Sequence, residues 1–517
     1  MPESCTVWEL LAAGRDEAPA IAAPGRETLS YAGLRAHVTA TVAALNARGI
    51  HRGDRVAIVL PNGPEMASAF LSVAAGATTA PLNPGYKAPE FDFYLSDLGA
   101  KTLIVPEGSD SPAVGCAAAL GIPVLELRVD PERPAGVFEI LGDGPCRSAP
   151  GHPAQTESAA RVGWADADDI ALVLHTSGTT SRPKIVPLAQ RNICASAGNI
   201  RRTLALTAAD RCMNVMPLFH IHGLMAATLA PLSVGASIFC TPGFNALKFF
   251  AWLDEAWPSY YTAVPTMHQA VLARAKRNAD VLERARLRFI RSSSSSLPPQ
   301  VMAELEDVFG APVVEAYAMT EASHQMTCNP LPPGERKPGT VGPAAGPEVS
   351  VMDEAGRHLE AGAVGEIVIR GDNVTDGYEN NPEANAAAFT DGWFRTGDQG
   401  VMDEDGYVTI TGRLKEIINR GGEKISPREV DEALMDHPAV GQVVTFALPH
   451  DMLGEEVAAA VVLREGMEAT AEEIREFGGS RLAGFKVPRT VLIVEEIPKG
   501  PTGKLKRIGM AEQLGLC

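Results

Sequence analysis

The chain has 517 residues, 45% of them hydrophobic and 21% charged, with a formal net charge of −18. That length exceeds one ordinary hydrophobic core, so two or more domains are expected in a globular protein. The acidic balance excludes a nucleic-acid binder, which needs a basic footprint to displace counterions, but leaves room for a local anion site.

Met1 to Arg15 carries Glu3 and Glu9 and lacks a basic and an apolar region, so no signal peptide is expected. Arg55 to Leu60 then reads as a buried strand and Pro64 to Ala75 as the helix that follows it. Asp169 to Leu174, Ala236 to Cys240 and Tyr260 to Val264 repeat the strand pattern. The alternation implies an α/β architecture, sheets flanked by helices. The most apolar stretch, His222 to Cys240, is broken by Gly223, Pro231, Ser233 and Gly235. It reads as a buried helix running into a strand rather than a membrane span. The eight cysteines show no C-x-x-C pair and no metal-ligand spacing. They suit small core positions in a reducing compartment, which makes the expected location cytoplasmic.

Asp403 to Gly406 makes a turn between two strand-like runs, and Ser426-Pro427-Arg428-Glu429 reads as a capping box. Val430, Ala433 and Leu434 give the following helix an apolar face, and a second box spans Thr470 to Glu473. The expected division is therefore a large N-terminal body, residues 1–412, and a small α+β lid, residues 413–517.

The chemistry begins at His175-Thr-Ser-Gly-Thr-Thr-Ser-Arg-Pro-Lys184, directly after a strand. Consecutive hydroxyls around one glycine, with a lysine at the end, suit a loop that converges on phosphate oxygens. It lacks the Gly-Lys-Ser/Thr ending of the P-loop. Further on stand Met216-Pro-Leu-Phe-His220, Glu315-Ala-Tyr-Ala-Met-Thr-Glu321, Trp393-Phe-Arg-Thr-Gly-Asp398, Gly412-Arg-Leu-Lys-Glu416 and Pro498-Lys-Gly-Pro-Thr-Gly-Lys504.

In that order these segments resemble the signatures of the adenylate-forming superfamily, which includes acyl-CoA synthetases, adenylation domains and luciferases. The likeness runs from about Thr28 to Arg507. It departs at Ser181 and Ile185, where many members have glycine. The resemblance implies activation of a carboxylic acid by ATP and transfer of the acyl group to a thiol. Thr176, Ser177, Gly178, Thr179, Thr180 and Lys184 would hold the β- and γ-phosphates. Ser294, Ser295, Glu315, Ala316 and Tyr317 would surround the adenine, and Thr320 would donate to the α-phosphate. Glu321 would supply a hard oxygen to Mg²⁺. Asp398 has two acceptor oxygens for the ribose hydroxyls, with Arg413 beside it. Lys504 would bridge the attacking carboxylate and the α-phosphate, joined as catalytic candidates by Thr320 and His220. The lid would turn about Lys415 between half-reactions, and Gly421-Gly422 would admit the arm of coenzyme A unless the pair is simply a turn.

Within the superfamily, PLFHIHGL, YTAVPTMHQ, RFIRSSSSSL and INRGGEKISP are similar to phrases of plant and fungal oxalyl-CoA synthetases. A second carboxylate held inside the protein needs donors, since an unpaired buried charge is costly. His220, Ser294 and His324 are the candidates for that role. The alternatives are a medium-chain or aromatic acid, a carrier-protein thiol as acceptor, or a catalytically silent nucleotide binder. ATP, Mg²⁺ and coenzyme A are the expected cofactor and co-substrates, and the enzyme is expected to act as a monomer or homodimer. The C-terminal Gly515-Leu-Cys517 is not a peroxisomal tripeptide.

Overall fold

A computed structural model describes residues 5–142, 162–176, 183–500 and 505–516. Three sheets form the body. The first is ordered Glu139–Leu141, Val124–Arg128, Thr102–Pro106, Arg55–Ile58, Thr78–Pro81, Ile170–Thr176 and Lys184–Ala189. Its inner strands run parallel and its two edge strands antiparallel. This matches the sequence pattern: Arg55–Ile58 is an apolar run buried on both faces, and helix Pro64–Ala74 crosses over to the next parallel strand.

The second sheet is ordered His324–Cys328, Val313–Met319, Phe289–Ser293, Tyr260–Ala263, Arg211–Asn214, Ser237–Cys240, Pro19–Ala22 and Leu29–Ser30. Again only the edge pairs are antiparallel. The stretch read as a buried helix entering a strand is Ile221–Leu224, a π-helical turn Met225–Leu229, Ala230–Leu232 and then Ser237–Cys240, all buried. Such π-turns widen the helix and often accompany functional positions. Thr228 fills this one, donating to Gly223 O at 2.8 Å and accepting from Asn214 Nδ2 at 3.1 Å.

A third, antiparallel sheet carries Glu348–Met352, Val364–Arg370, Trp393–Met402, Phe389–Thr390 and Val408–Arg413. A separate C-terminal sheet joins Glu423–Ile425, Ile418–Arg420, Gly454–Leu463, Val440–His450 and Thr490–Ile493. Its helix Pro427–Met435 begins at Ser426, whose hydroxyl accepts from Glu429 N and donates to Thr411 O, tying the helix start to the last strand of the third sheet. The box at Thr470 forms in full. Met302 and Leu305 of the body belong to one apolar cluster with Met435 and Val443 of the C-terminal unit. Of the six described cysteines, Cys194, Cys212, Cys240 and Cys328 are buried, Cys116 is half-buried and Cys5 is exposed. Among the described residues no helix is long and apolar enough to cross a membrane.

Candidate active site

Neighbouring parallel strands of the second sheet all end on one side of the body. Tyr260–Ala263 runs into Val264 and Pro265, Phe289–Ser293 into Ser294 to Ser296, and Val313–Met319 into Thr320 and Glu321. The carboxyl ends of parallel strands are where open α/β sheets place their ligands. A cleft of about 310 Å³ lies here, lined by Ser294, Ser295, Glu315, Ala316, Tyr317, Asp398 and Arg413 from the body side. Glu416, Arg428, Asp431, Gln442 and Arg507 line it from the other side, so body and C-terminal unit enclose it together.

Tyr317 is buried, and its hydroxyl donates to Asp398 Oδ2. Burial and the adjacent carboxylate hold that phenol far above its ordinary range. Arg413 Nε donates to Asp398 Oδ1 at 2.9 Å, and the Asp398 charge raises the Arg413 guanidinium's affinity for its proton. Both Asp398 oxygens therefore already accept one bond from the protein. Each retains a second lone pair for a ribose hydroxyl.

Glu321 sits in the short 3-10 turn Thr320–Ala322, buried, with Oε1 accepting from Tyr378 OH at 2.9 Å. Burial raises its pKa, opposed by Tyr378, Arg413 and Lys184. Lys184 opens strand Lys184–Ala189 and holds its ammonium 4.2 Å from the centre of the Tyr378 ring. Burial lowers the Lys184 pKa, with Glu321 pulling it up and Lys415 pushing it down. Lys184, Lys415, Arg413 and Glu321 are thus one electrostatic group. Thr176 ends the preceding strand opposite Lys184. Ser177, Gly178, Thr179, Thr180 and Ser181 lie outside the described residues, as does Lys504.

Among the described residues no three of His, Cys, Asp and Glu cluster as a metal site. Mg²⁺ in a nucleotide site asks for less: one carboxylate, with phosphate oxygens and water completing the shell. Glu321, buried and with Oε1 accepting from Tyr378, could supply that carboxylate.

Glu315 is buried at the cleft wall. Its Oε1 accepts from Leu297 N at 2.8 Å, while Oε2 has no partner. Burial raises its pKa to about 7, with Arg428 opposing the shift.

Beside the candidates His220 and His324 the structure adds a third histidine, His222. His220 caps helix Ile221–Leu224, with Nδ1 accepting from His222 N at 3.3 Å. It is His222, two residues on, that reaches the acid candidates: Nδ1 lies 3.1 Å from Ser294 Oγ, and Nε2 lies 2.6 Å from Thr262 Oγ1. His222 stacks on His324, ring centres 4.8 Å apart. Arg291 donates to His324 Nε2 at 3.2 Å behind them. Ser294 and His324 are joined through His222 into one polar cluster. Both hold left-handed backbone, φ +75° and +104°, which non-glycine residues rarely adopt outside sites that need it. His222, Thr262 and Arg291 were absent from the sequence candidates. The signal for Arg291 is a charge inside the apolar run LRFIRSS, on a strand buried throughout.

Gly421 and Gly422, φ +60° and +99°, form the two-residue link between strands Ile418–Arg420 and Glu423–Ile425. A two-residue hairpin turn with positive φ at both positions suits glycine.

A family model described as AMP-binding enzyme matches residues 8–379, and one described as AMP-binding enzyme C-terminal domain matches residues 429–504. The chain belongs to the AMP-binding enzyme family. This AMP-binding enzyme is 45% identical over 494 residues to an oxalate–CoA ligase of Arabidopsis thaliana, covering 94% of each chain. It is 44% identical over 477 residues to an oxalate–CoA ligase of Saccharomyces cerevisiae, covering 90% of this chain and 87% of that one. The ATP-bound crystal structure of MatB from Rhodopseudomonas palustris superposes with a TM-score of 0.85 at 29% identity, over 98% of both chains. MatB without ligand gives 0.75, so the arrangement here is nearer the ATP-bound form.

Proposed function

We propose that the enzyme is an oxalate–CoA ligase, converting oxalate, ATP and coenzyme A to oxalyl-CoA, AMP and pyrophosphate. The class, an AMP-forming acid–CoA ligase, is carried by family and relatives along nearly the whole chain. The observation that supports oxalate is the Ser294–His222–His324 cluster, in which Ser294 lines the cleft and the two histidines are buried behind it. A hydroxyl backed by two imidazoles offers a hydrogen-bond donor to a second carboxylate.

In the first half-reaction one oxalate oxygen attacks the α-phosphorus of ATP and pyrophosphate leaves. Two anions must meet, so fixed cations and donors matter most. Lys184 and the hydroxyls from Thr176 to Thr180 are assigned to the β- and γ-phosphates, and Thr320 to the α-phosphate. Tyr317, Ala316, Ser294 and Ser295 would border the adenine and Asp398 with Arg413 the ribose, at the cleft they line. Glu321 would hold Mg²⁺, which supplies charge neutralisation to the phosphates. Lys504 is assigned to the bridging position between acid and α-phosphate. In the second half-reaction the thiol of coenzyme A attacks the oxalyl carbon and AMP leaves. A rotation of the C-terminal unit about Lys415 would separate the two steps, and Gly421-Gly422 is the point assigned to the pantetheine arm. A cytoplasmic setting suits this thiol chemistry and the buried cysteines.

The test is exchange of labelled pyrophosphate into ATP without coenzyme A. Oxalate should support exchange, and Lys504→Ala should abolish it while ATP binding persists. Exchange that Lys504→Ala leaves unchanged removes Lys504 from its assigned role; no exchange with oxalate removes oxalate.

A further inference from the structure

Arg291 heads the largest side chains that the fold buries completely. It lies on strand Phe289–Ser293, in register with Thr262 on one side and Val314 on the other. A cation taken out of water normally sits against a carboxylate, because a buried charge without a counter-ion is costly. Here no carboxylate stands among its described hydrogen-bond partners. Nη1 donates to His324 Nε2 at 3.2 Å and lies 3.5 Å from both His222 Nε2 and Thr262 Oγ1. Nη2 donates to Gln325 Oε1 at 3.1 Å, and Nε has no acceptor. Burial lowers its pKa, opposed among the described residues by Cys328, Tyr260 and Cys212.

A guanidinium keeps its protons and offers no lone pair, so a ring nitrogen that faces it must accept. His324 is thereby assigned its proton on Nδ1. His222 Nε2 accepts from the Thr262 hydroxyl at 2.6 Å, which leaves Nδ1–H to donate to Ser294 Oγ at 3.1 Å. Ser294, with one lone pair so occupied, has its own hydroxyl proton available for a ligand in the cleft it lines.

We propose that Arg291 is a positioning residue for acid selectivity: its uncompensated charge, set behind His222, His324 and Ser294, draws in the second anionic group of a small diacid and holds both rings as Nδ1–H donors. This rests on the reading of the acid site above. A monocarboxylate brings no second charge to the guanidinium.

The experiment compares wild type, R291M, R291K and Q325E with oxalate, malonate and acetate, taking KM for the acid and for ATP separately. Q325E is decisive if R291M fails to fold, because it keeps Arg291 and sets a carboxylate at the atom that Nη2 already contacts. Both R291M and Q325E should raise KM for the preferred diacid about tenfold or more, leave KM for ATP within about twofold, and narrow the preference over acetate. R291K, which keeps the charge, should retain that preference. Parallel loss of acid and ATP binding, or an unchanged diacid-to-acetate ratio in Q325E, overturns the proposal. A wild type that prefers malonate, with that preference lost in Q325E, discards oxalate and supports Arg291. A wild type that prefers acetate overturns both.

Discussion

Glu315 and Asp398 face the same cleft in opposite electrostatic circumstances. Asp398 accepts from Tyr317 and Arg413, one bond on each oxygen. Glu315 has one oxygen satisfied and one bare, and its pKa rises from 4.5 to about 7 because burial disfavours the anion. The consequence for stability has a definite sign. Below pH 4.5 the carboxyl is protonated in both folded and unfolded chains and contributes no difference. As pH rises towards 7 the unfolded chain releases its proton first, so the folded enzyme loses stability through that window. Glu315→Gln removes the titration. Its melting temperature should match wild type near pH 4 and exceed it above pH 7, by the equivalent of about 2 kcal/mol. Equal pH dependence in the two proteins would contradict this account of Glu315. Asp398→Ala should weaken ATP binding about tenfold or more, since it strips the acceptor from Tyr317 and Arg413 as well as from the ribose. A titration of nucleotide against each protein decides it.

At the scale of elements, the strands were legible because parallel strands buried on both faces are short apolar runs. Arg55–Ile58, Ser237–Cys240 and Tyr260–Ala263 fall within a residue or two of their expected bounds. The roles of neighbouring residues were less legible. His220 and His222 stand in the same run, and local sequence does not say which one meets Ser294. That depends on strand Tyr260–Ala263 lying beside strand Phe289–Ser293, a pairing between distant segments. Arg291 escaped for the same reason: its meaning comes from Thr262, His324 and Gln325, which the fold alone assembles. Gly342 is another tertiary requirement. At φ +79°, a Cβ there would lie 2.1 Å from the Cys328 carbonyl carbon and 2.2 Å from Asn329 N. Gly342→Ala should push strand His324–Cys328 off its neighbours and cost about 2 kcal/mol or more. Chemical denaturation would show the loss as a lower midpoint; an unchanged midpoint would mean the backbone there yields easily.

For the whole molecule, the cleft between body and C-terminal unit is the organising feature. Among the described residues the polar contacts that bridge the two include Gln300 to Asp436, Ser426 to Thr411 O, Gln269 to Gly441 O at 3.2 Å, Arg428 to Gly339 O at 3.4 Å, and the pairs Arg464–Glu304 and Arg277–Glu465, each at 3.8 Å. The exposed ion pairs contribute little each. Arg507 and Asp431, paired at 2.7 Å, present the C-terminal unit's own charges to the cleft. The segments proposed for nucleotide, hinge and catalytic lysine follow one another along the chain, so the proposed plan reads as an ordered series of motifs. What the acid must look like was only half readable, because the pocket wall is built from separate strands.

The acid proposed for joining to coenzyme A is small and carries two anionic groups, oxalate above others. The most direct measurement is coenzyme A-dependent AMP release with oxalate, malonate, acetate, octanoate and benzoate, each at saturating ATP. The account predicts kcat/KM for oxalate above each other acid by about two orders of magnitude or more. Efficient turnover of octanoate or benzoate, with oxalate inert, would leave the enzyme class standing and contradict the polar acid pocket.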